Sequence, residues 1–316
     1  MKALWLEDHT LSVRDVDVPT PASGEALVRV VCAGVCSTDL ELVRGYYPYT
    51  GTLGHEFVGV VEAGDDALAG QRVVGEINAV CGVCDTCVAG RPTHCERRTV
   101  LGIVDRHGAF AEYLSLPVAN LHRVPDNVST DAATFVEPLA AAMEIQEQID
   151  VMADDRVLVV GDGKLGQLIA QTLRLTGCDL TVVGKHLDKL ERFSTFAVTQ
   201  LASDFNGAGF DIAVECTGDA GGFETARAAL RAKGTLVMKS TYAGRLEVDA
   251  SALVVDEITL VGSRCGPFAP AIALLEQGKI AVESMIAARY PLEDGLCAFE
   301  HAARPGVLKV LLDMAG

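Results

Sequence analysis

Three things are scarce in this 316-residue chain. It has no run of eighteen apolar residues, so no stretch reads as a membrane-spanning helix. Basic residues are few, 26 Lys and Arg against 43 Asp and Glu, giving a formal charge of −17. A surface of that sign repels phosphate backbones and excludes nucleic acid as a partner. Internal repeats and low-complexity tracts are also missing. The opening Met1-Lys2-Ala3-Leu4-Trp5-Leu6-Glu7-Asp8 meets acidic residues before a signal-peptide core can form, and the closing Asp313-Met314-Ala315-Gly316 has no lipidation signal. A cytoplasmic location is expected. With 49% hydrophobic and 22% charged residues, the composition is that of a globular enzyme long enough for two cores.

Cysteine, by contrast, is plentiful. Four of the ten fall within fifteen residues, Cys81, Cys84, Cys87 and Cys95, at spacing C-x2-C-x2-C-x7-C among Gly82, Gly90 and Pro92. Tetrahedral zinc takes four soft ligands, and close C-x2-C steps let a tight turn aim neighbouring sulfurs at one point. Disulfides are the competing reading, disfavoured by a reducing compartment. An all-thiolate site leaves no open position, so it braces structure and does no chemistry. Of the scattered Cys32, Cys178, Cys216, Cys265 and Cys297, four sit among apolar or small neighbours and have the character of small buried hydrophobes.

The rhythm of the chain changes near residue 138. Before it, Lys2 to Glu7, Leu11 to Val16, Ala26 to Val35, Gln71 to Ile77, Phe110 to Leu116 and Asn120 to Val124 read as strands separated by proline and glycine turns. A short helix runs to Arg44. After it, a helix over Leu139 to Ile149 is followed by alternation: strand 156–160, helix 164–175, strand 180–183, helix 187–196, strand 210–216, helix 222–231, then strands at 235–239 and 258–261. Buried strands alternating with helices predict a doubly wound parallel sheet. A helix at 269–277 and a strand at 307–312 close the chain. The expected organisation is a mostly-β catalytic domain over 1–138 and 264–316, with a zinc lobe at about 78–98, and an α/β nucleotide-binding domain over 139–263.

Gly161-Asp162-Gly163-Lys164-Leu165-Gly166 directly follows the apolar strand 156–160 and opens a helix. In that context G-x-G-x-x-G is the dinucleotide fingerprint, with the helix N-terminus facing the pyrophosphate. The next strand ends in Gly184-Lys185-His186, without the carboxylate that bonds the ribose of NAD. A glycine there leaves room for a 2′-phosphate and Lys185 can pair with it, which favours NADP over NAD. Solvated helix-entry residues would look the same.

Outside the cysteine lobe stand Cys36-Ser37-Thr38-Asp39, Gly54-His55-Glu56 and Phe135-Val136-Glu137-Pro138-Leu139. Taken in order with the lobe, the dinucleotide turn and the closing Gly306-Val307-Leu308-Lys309-Val310, they resemble the zinc-dependent medium-chain dehydrogenase/reductase family in its alcohol, polyol and sugar dehydrogenase branch. The resemblance spans essentially the whole chain. It implies a GroES-like catalytic domain joined to a Rossmann domain, and a catalytic zinc held by Cys36, His55 and Glu137 with Glu56 beside it. Many alcohol dehydrogenases carry cysteine where this chain has Glu137, and glutamate there resembles the polyol and sugar branches. By the same resemblance Thr38 takes the substrate proton, Asp39 orients a zinc ligand and Thr217 approaches the nicotinamide. Asp39 also reads simply as an acid at a helix N-terminus.

The expected activity is hydride transfer between an alcohol, polyol or sugar hydroxyl and NAD(P), with two zinc ions per chain. A carbonyl reductase preferring NADPH is the alternative on the same fold, and a zinc-ribbon binding protein without catalysis is a third reading. Tyr46, Tyr47 and Tyr49 could contact substrate. Residues 255–263 resemble the family strand that pairs across a two-fold axis, so a homodimer or homotetramer is expected.

Overall fold

The computed structural model describes residues 1–314 apart from Ala243. Its contacts divide the chain into two units, Met1–Glu137 with Phe268–Gly316, and Pro138–Pro267.

The first unit is built on a seven-stranded sheet. Its backbone is the strand Glu25–Gly34, flanked on one edge by Glu56–Ala63 and on the other by Lys309–Asp313 and, towards its start, Tyr113–Pro117. The first residues of Glu25–Gly34 alternate half-buried and buried, as a strand with one solvated face should, and its last three are all buried. Those three run into the candidate site. Register sets Gly34 opposite Glu56 on one side and Leu311 on the other, so residues far apart in sequence meet at one point. Lys2–Glu7, Thr10–Asp15 and Gly51–Thr52 form a three-stranded sheet, and Asn78–Ala79, Thr99–Leu101 and Asp105–Arg106 a small one at the base of the cysteine lobe.

The second unit is a six-stranded, wholly parallel sheet. Its spatial order is Val198–Leu201, Asp179–Gly184, Arg156–Val160, Phe210–Glu215, Leu230–Met238, Thr259–Gly262. Read by sequence rank this is 3-2-1-4-5-6, the order of a dinucleotide-binding fold, whose switch point lies beyond Arg156–Val160. Leu158, Val160, Val183, Ala213 and Leu236 on the strands pack with Phe223, Ala226 and Ala229 of the helix Ala220–Ala229.

Several elements differ from expectation. The helix expected over 187–196 is one α-turn, Leu187–Leu190, continued as the 3-10 turn Glu191–Phe193. Residues 255–263 split between the end of the helix Ala250–Val255 and the strand Thr259–Gly262. The strands Val198–Leu201 and Ile286–Pro291 and the helix Gly295–Ala302 are additions. No helix among the described residues is long and apolar enough to cross a membrane.

Candidate active site

The helix Ser37–Val43 starts where the central strand ends, and Cys36 stands at its N-terminus. Asp39, fully buried, ties this corner together. Its Oδ2 accepts the Cys36 backbone N–H at 2.8 Å, and its Oδ1 lies 3.3 Å from Nδ1 of His55. Neither Asp39 Oδ1 nor His55 Nδ1 completes a well-aligned hydrogen bond. With Nδ1 turned to Asp39, the imidazole has Nε2 left for a metal. Burial opposes a charge on His55, but the Asp39 and Cys36 charges outweigh it and hold its pKa well above the ordinary value.

Ligand atoms of Cys36, His55 and Glu56 all lie within 4.8 Å of one another. One thiol, one imidazole and one carboxylate are a donor set that zinc accepts. Glu137, in the first turn of the helix Val136–Gln148, is not within that tight group. It is close enough to act electrostatically on Lys309. Thr38 Oγ1 is 3.8 Å from Cys36 Sγ.

Lys309 is the residue sequence reading passed over. It is 1% exposed, and its Nζ donates to Oε2 of Glu56, equally buried. Burial pulls its pKa down, yet Glu56, Cys36 and Glu137 together keep it raised, so it is a cation. Only its place in the closing segment quoted above hinted at a role. Tyr49 is the opposite case. Its hydroxyl lies 2.7 Å from the Thr52 carbonyl and 3.0 Å from that of Arg106, so it holds loops together; Tyr46 and Tyr47 are exposed.

In the cysteine lobe, Sγ of Cys81 and Cys95 are 3.5 Å apart, Cys84 and Cys87 3.5 Å, and Cys84 and Cys95 3.8 Å. All are free thiols at distances that exclude disulfides. Four sulfurs about 2.3 Å from one zinc would be spaced about 3.8 Å apart. Backbone amides of Val83 and Cys84 aim at Cys81 and hold its pKa down at about 6, and those of Cys87 and Glu96 lower Cys84. Arg97 adds a cation 3.3 Å from Cys81 Sγ. Burial and the Cys84 and Cys95 sulfurs push the Cys87 thiol up to about 12, so it is the sulfur spacing, with the lowered Cys81 and Cys84, that fits a metal binding thiolates.

A pocket of about 600 Å³ opens at the carboxyl ends of the parallel strands, lined by Gly161, Gly163, Gly184, Lys185 and Thr217 among others. Lys164, Leu165, Gly166 and His186 are not part of its wall. Gly166 serves packing instead, since a Cβ there would lie 2.1 Å from the Gly161 carbonyl. The Thr217 amide is occupied by Glu215 Oε1 at 2.5 Å. The tip of Asp179–Gly184, expected to be free of carboxylate because none stands among its own residues, is not. Asp162 reaches over from the glycine turn and accepts the amides of Lys185 and His186, both at 2.7 Å.

Residues 22–126 match the family described as Alcohol dehydrogenase GroES-like domain, and residues 165–277 that described as Zinc-binding dehydrogenase. L-threonine 3-dehydrogenase of Streptomyces coelicolor is 33% identical over 345 residues, covering 99% of both chains. Sorbitol dehydrogenase of Halalkalibacterium halodurans is 29% identical with the same coverage. The chain belongs to the zinc-type medium-chain dehydrogenase/reductase family. Two solved structures superpose over 99% of each chain: a zinc-binding dehydrogenase of Sinorhizobium meliloti bound to NADP (29% identity, TM-score 0.91) and the alcohol dehydrogenase RspB of Escherichia coli with NADH (27%, 0.92). As a medium-chain dehydrogenase/reductase it is a nicotinamide-linked oxidoreductase that acts on hydroxyl groups.

Proposed function

We propose that this dehydrogenase oxidises an alcohol, polyol or sugar hydroxyl at a zinc ion held by Cys36, His55 and the carboxylates Glu56 and Glu137, with NADP as the preferred hydride acceptor. The observation that carries this is the approach of the Cys36, His55 and Glu56 ligand atoms to within 4.8 Å of one another. When bound, zinc would polarise the substrate oxygen and the nicotinamide would exchange the hydride. The chain's own residues do the rest. Asp39 fixes the His55 ring and the Cys36 backbone, Lys309 offsets the charge of Glu56, and the Thr38 hydroxyl beside Cys36 takes the substrate proton.

The lobe cysteines Cys81, Cys84, Cys87 and Cys95 hold a second, structural zinc in this reading, supported by their spacing of 3.5 to 3.8 Å. Lys185 on the pocket wall supports NADP. Ten free thiols support a reducing, cytoplasmic setting. Thr259–Gly262 is paired on one side only among the described residues, and exposed Leu260, Val254 and Val255 lie on or just before it. That edge supports a homodimer or homotetramer.

Metal analysis with a parallel oxidation screen of alcohols, polyols and sugars against NAD and NADP tests the proposal. Two zinc ions per chain are expected, falling to one in Cys36→Ala or His55→Ala with loss of turnover and retention of nucleotide binding. Undiminished turnover in either variant would overturn it.

A further inference from the structure

The nucleotide pocket contains two carboxylates that behave differently. Asp162 is 7% exposed at its side chain and is already engaged by several partners. Beyond the two backbone amides it receives, His186 Nδ1 lies 3.1 Å from both of its oxygens, and Lys189 Nζ, equally buried, is 3.6 Å from Oδ1. A Cβ on Gly184 would come within 2.5 Å of Asp162 Oδ2, so Gly184 is small because Asp162 occupies that space. Asp162 therefore shapes the strand tip and is closed to a ligand.

Asp219 is open. One oxygen caps the helix Ala220–Ala229 by accepting the Gly222 amide at 2.8 Å, and the other lies 2.9 Å from Lys185 Nζ. Lys185 follows the strand Asp179–Gly184 and Asp219 follows Phe210–Glu215, with Arg156–Val160 and its glycine turn between them. Both residues line the pocket, so their ion pair spans its mouth. The side chains are 68% and 46% exposed, and such a pair exchanges partners readily.

We propose that Asp219 is a specificity-determining residue that competes with the ribose 2′-phosphate of NADP for Lys185 and so weakens the preference for NADP over NAD. This rests on the pocket being the nicotinamide dinucleotide site. A 2′-phosphate monoester is close to a dianion at neutral pH and draws Lys185 away from Asp219. That leaves the Asp219 carboxylate facing the phosphate with its cation gone, and like charges in contact oppose binding. NAD presents only a neutral hydroxyl and leaves the pair intact. The hydrogen bond from Lys185, followed by that from the Gly222 amide, holds the Asp219 carboxyl below its ordinary pKa, so it is ionised wherever the enzyme works.

Titration calorimetry with adenosine 2′,5′-bisphosphate and 5′-AMP tests this without metal or turnover. Asn retains the helix cap, so Asp219→Asn should bind the bisphosphate on the order of tenfold tighter, with 5′-AMP unchanged within about twofold. Asp219→Ser, a neutral cap of different shape, should behave alike, and Asp219→Glu should stay near wild type. On a Lys185→Met background, Asp219→Asn should yield a smaller gain, because only the direct repulsion and not the competition for Lys185 remains to be removed. Equal shifts for both probes, or none for the bisphosphate, would overturn the role of Asp219. If wild type bound neither probe and neither NAD nor NADP, the pocket assignment itself would fall.

Discussion

Lys309 extends across Gly34 to reach the carboxylate of Glu56. The two residues are 253 positions apart, and each is 1% exposed. Sheet register explains the meeting, because Glu56 pairs with Gly34 and Leu311 pairs with Gly34 from the other side. Removing one partner of a buried ion pair costs about 3–5 kcal/mol by stranding the other charge. Lys309→Met should therefore destabilise the zinc-free protein by about that much. With zinc bound the loss should be smaller, since the metal gives Glu56 a second cation. Denaturant unfolding with and without zinc measures both; a negligible loss without zinc would contradict the weight given to the pair, and equal losses would contradict zinc binding beside Glu56.

Gly34 leaves the space that this contact crosses. A Cβ there would stand 2.6 Å from Glu56 Oε2 and 3.2 Å from Lys309 Cδ. Gly34→Ala should displace the carboxylate and lower kcat at least about tenfold, with nucleotide affinity unchanged because the pocket lies in the other unit. Normal kcat would show that the lysine route tolerates the methyl.

The cysteine lobe has almost no core. From Cys81 to Arg98 only Cys95 is buried, Val83 and Val88 are 71% and 76% exposed, and its one α-helix, Asp85–Val88, is a single turn. A structure so short of apolar burial depends on its crosslink. Removing metal with a chelator should abolish amide-exchange protection across 81–97 while the strands of 156–160 and 210–215 keep theirs. Retained protection in the lobe would mean that it folds without metal.

The edge at Thr259–Gly262, unpaired among the described residues, predicts an assembly that sediments as a dimer or larger at micromolar concentration. Leu260→Lys, placing a charge on a side chain 48% exposed in the monomer, should weaken association by about 2 kcal/mol or more if that edge is the interface centre. A wild-type monomer would contradict the assignment.

Much of the second unit was legible because its strands are buried on both faces and read as apolar runs, Arg156-Val157-Leu158-Val159-Val160 most plainly. Val198–Leu201 escaped notice because it is a partly exposed edge strand with polar Thr199 and Gln200. Cys36, His55 and Glu137, with Glu56 beside them, were legible only through the family resemblance of their flanking motifs, and the structure puts Glu56 rather than Glu137 in the tight group. Lys309 and Asp162 were not, for one physical reason. Each is a charged side chain inside an apolar or glycine-rich element, and its meaning comes from a partner supplied by another strand. Gly184 looked like room for a phosphate, whereas it is room for Asp162.

The discontinuity of the first unit has a consequence for how the enzyme is made. Pro138–Pro267 is one unbroken stretch, so on a ribosome it can close once that stretch has emerged. The first unit must wait for the segment that follows Pro267. Glu56 emerges more than two hundred and fifty residues before Lys309 and must wait for it, with the sheet edge that receives Lys309–Asp313 bare in the meantime. Closure of the central sheet beside Glu56 thus waits on a segment made long after the second unit, so the two units mature on different schedules.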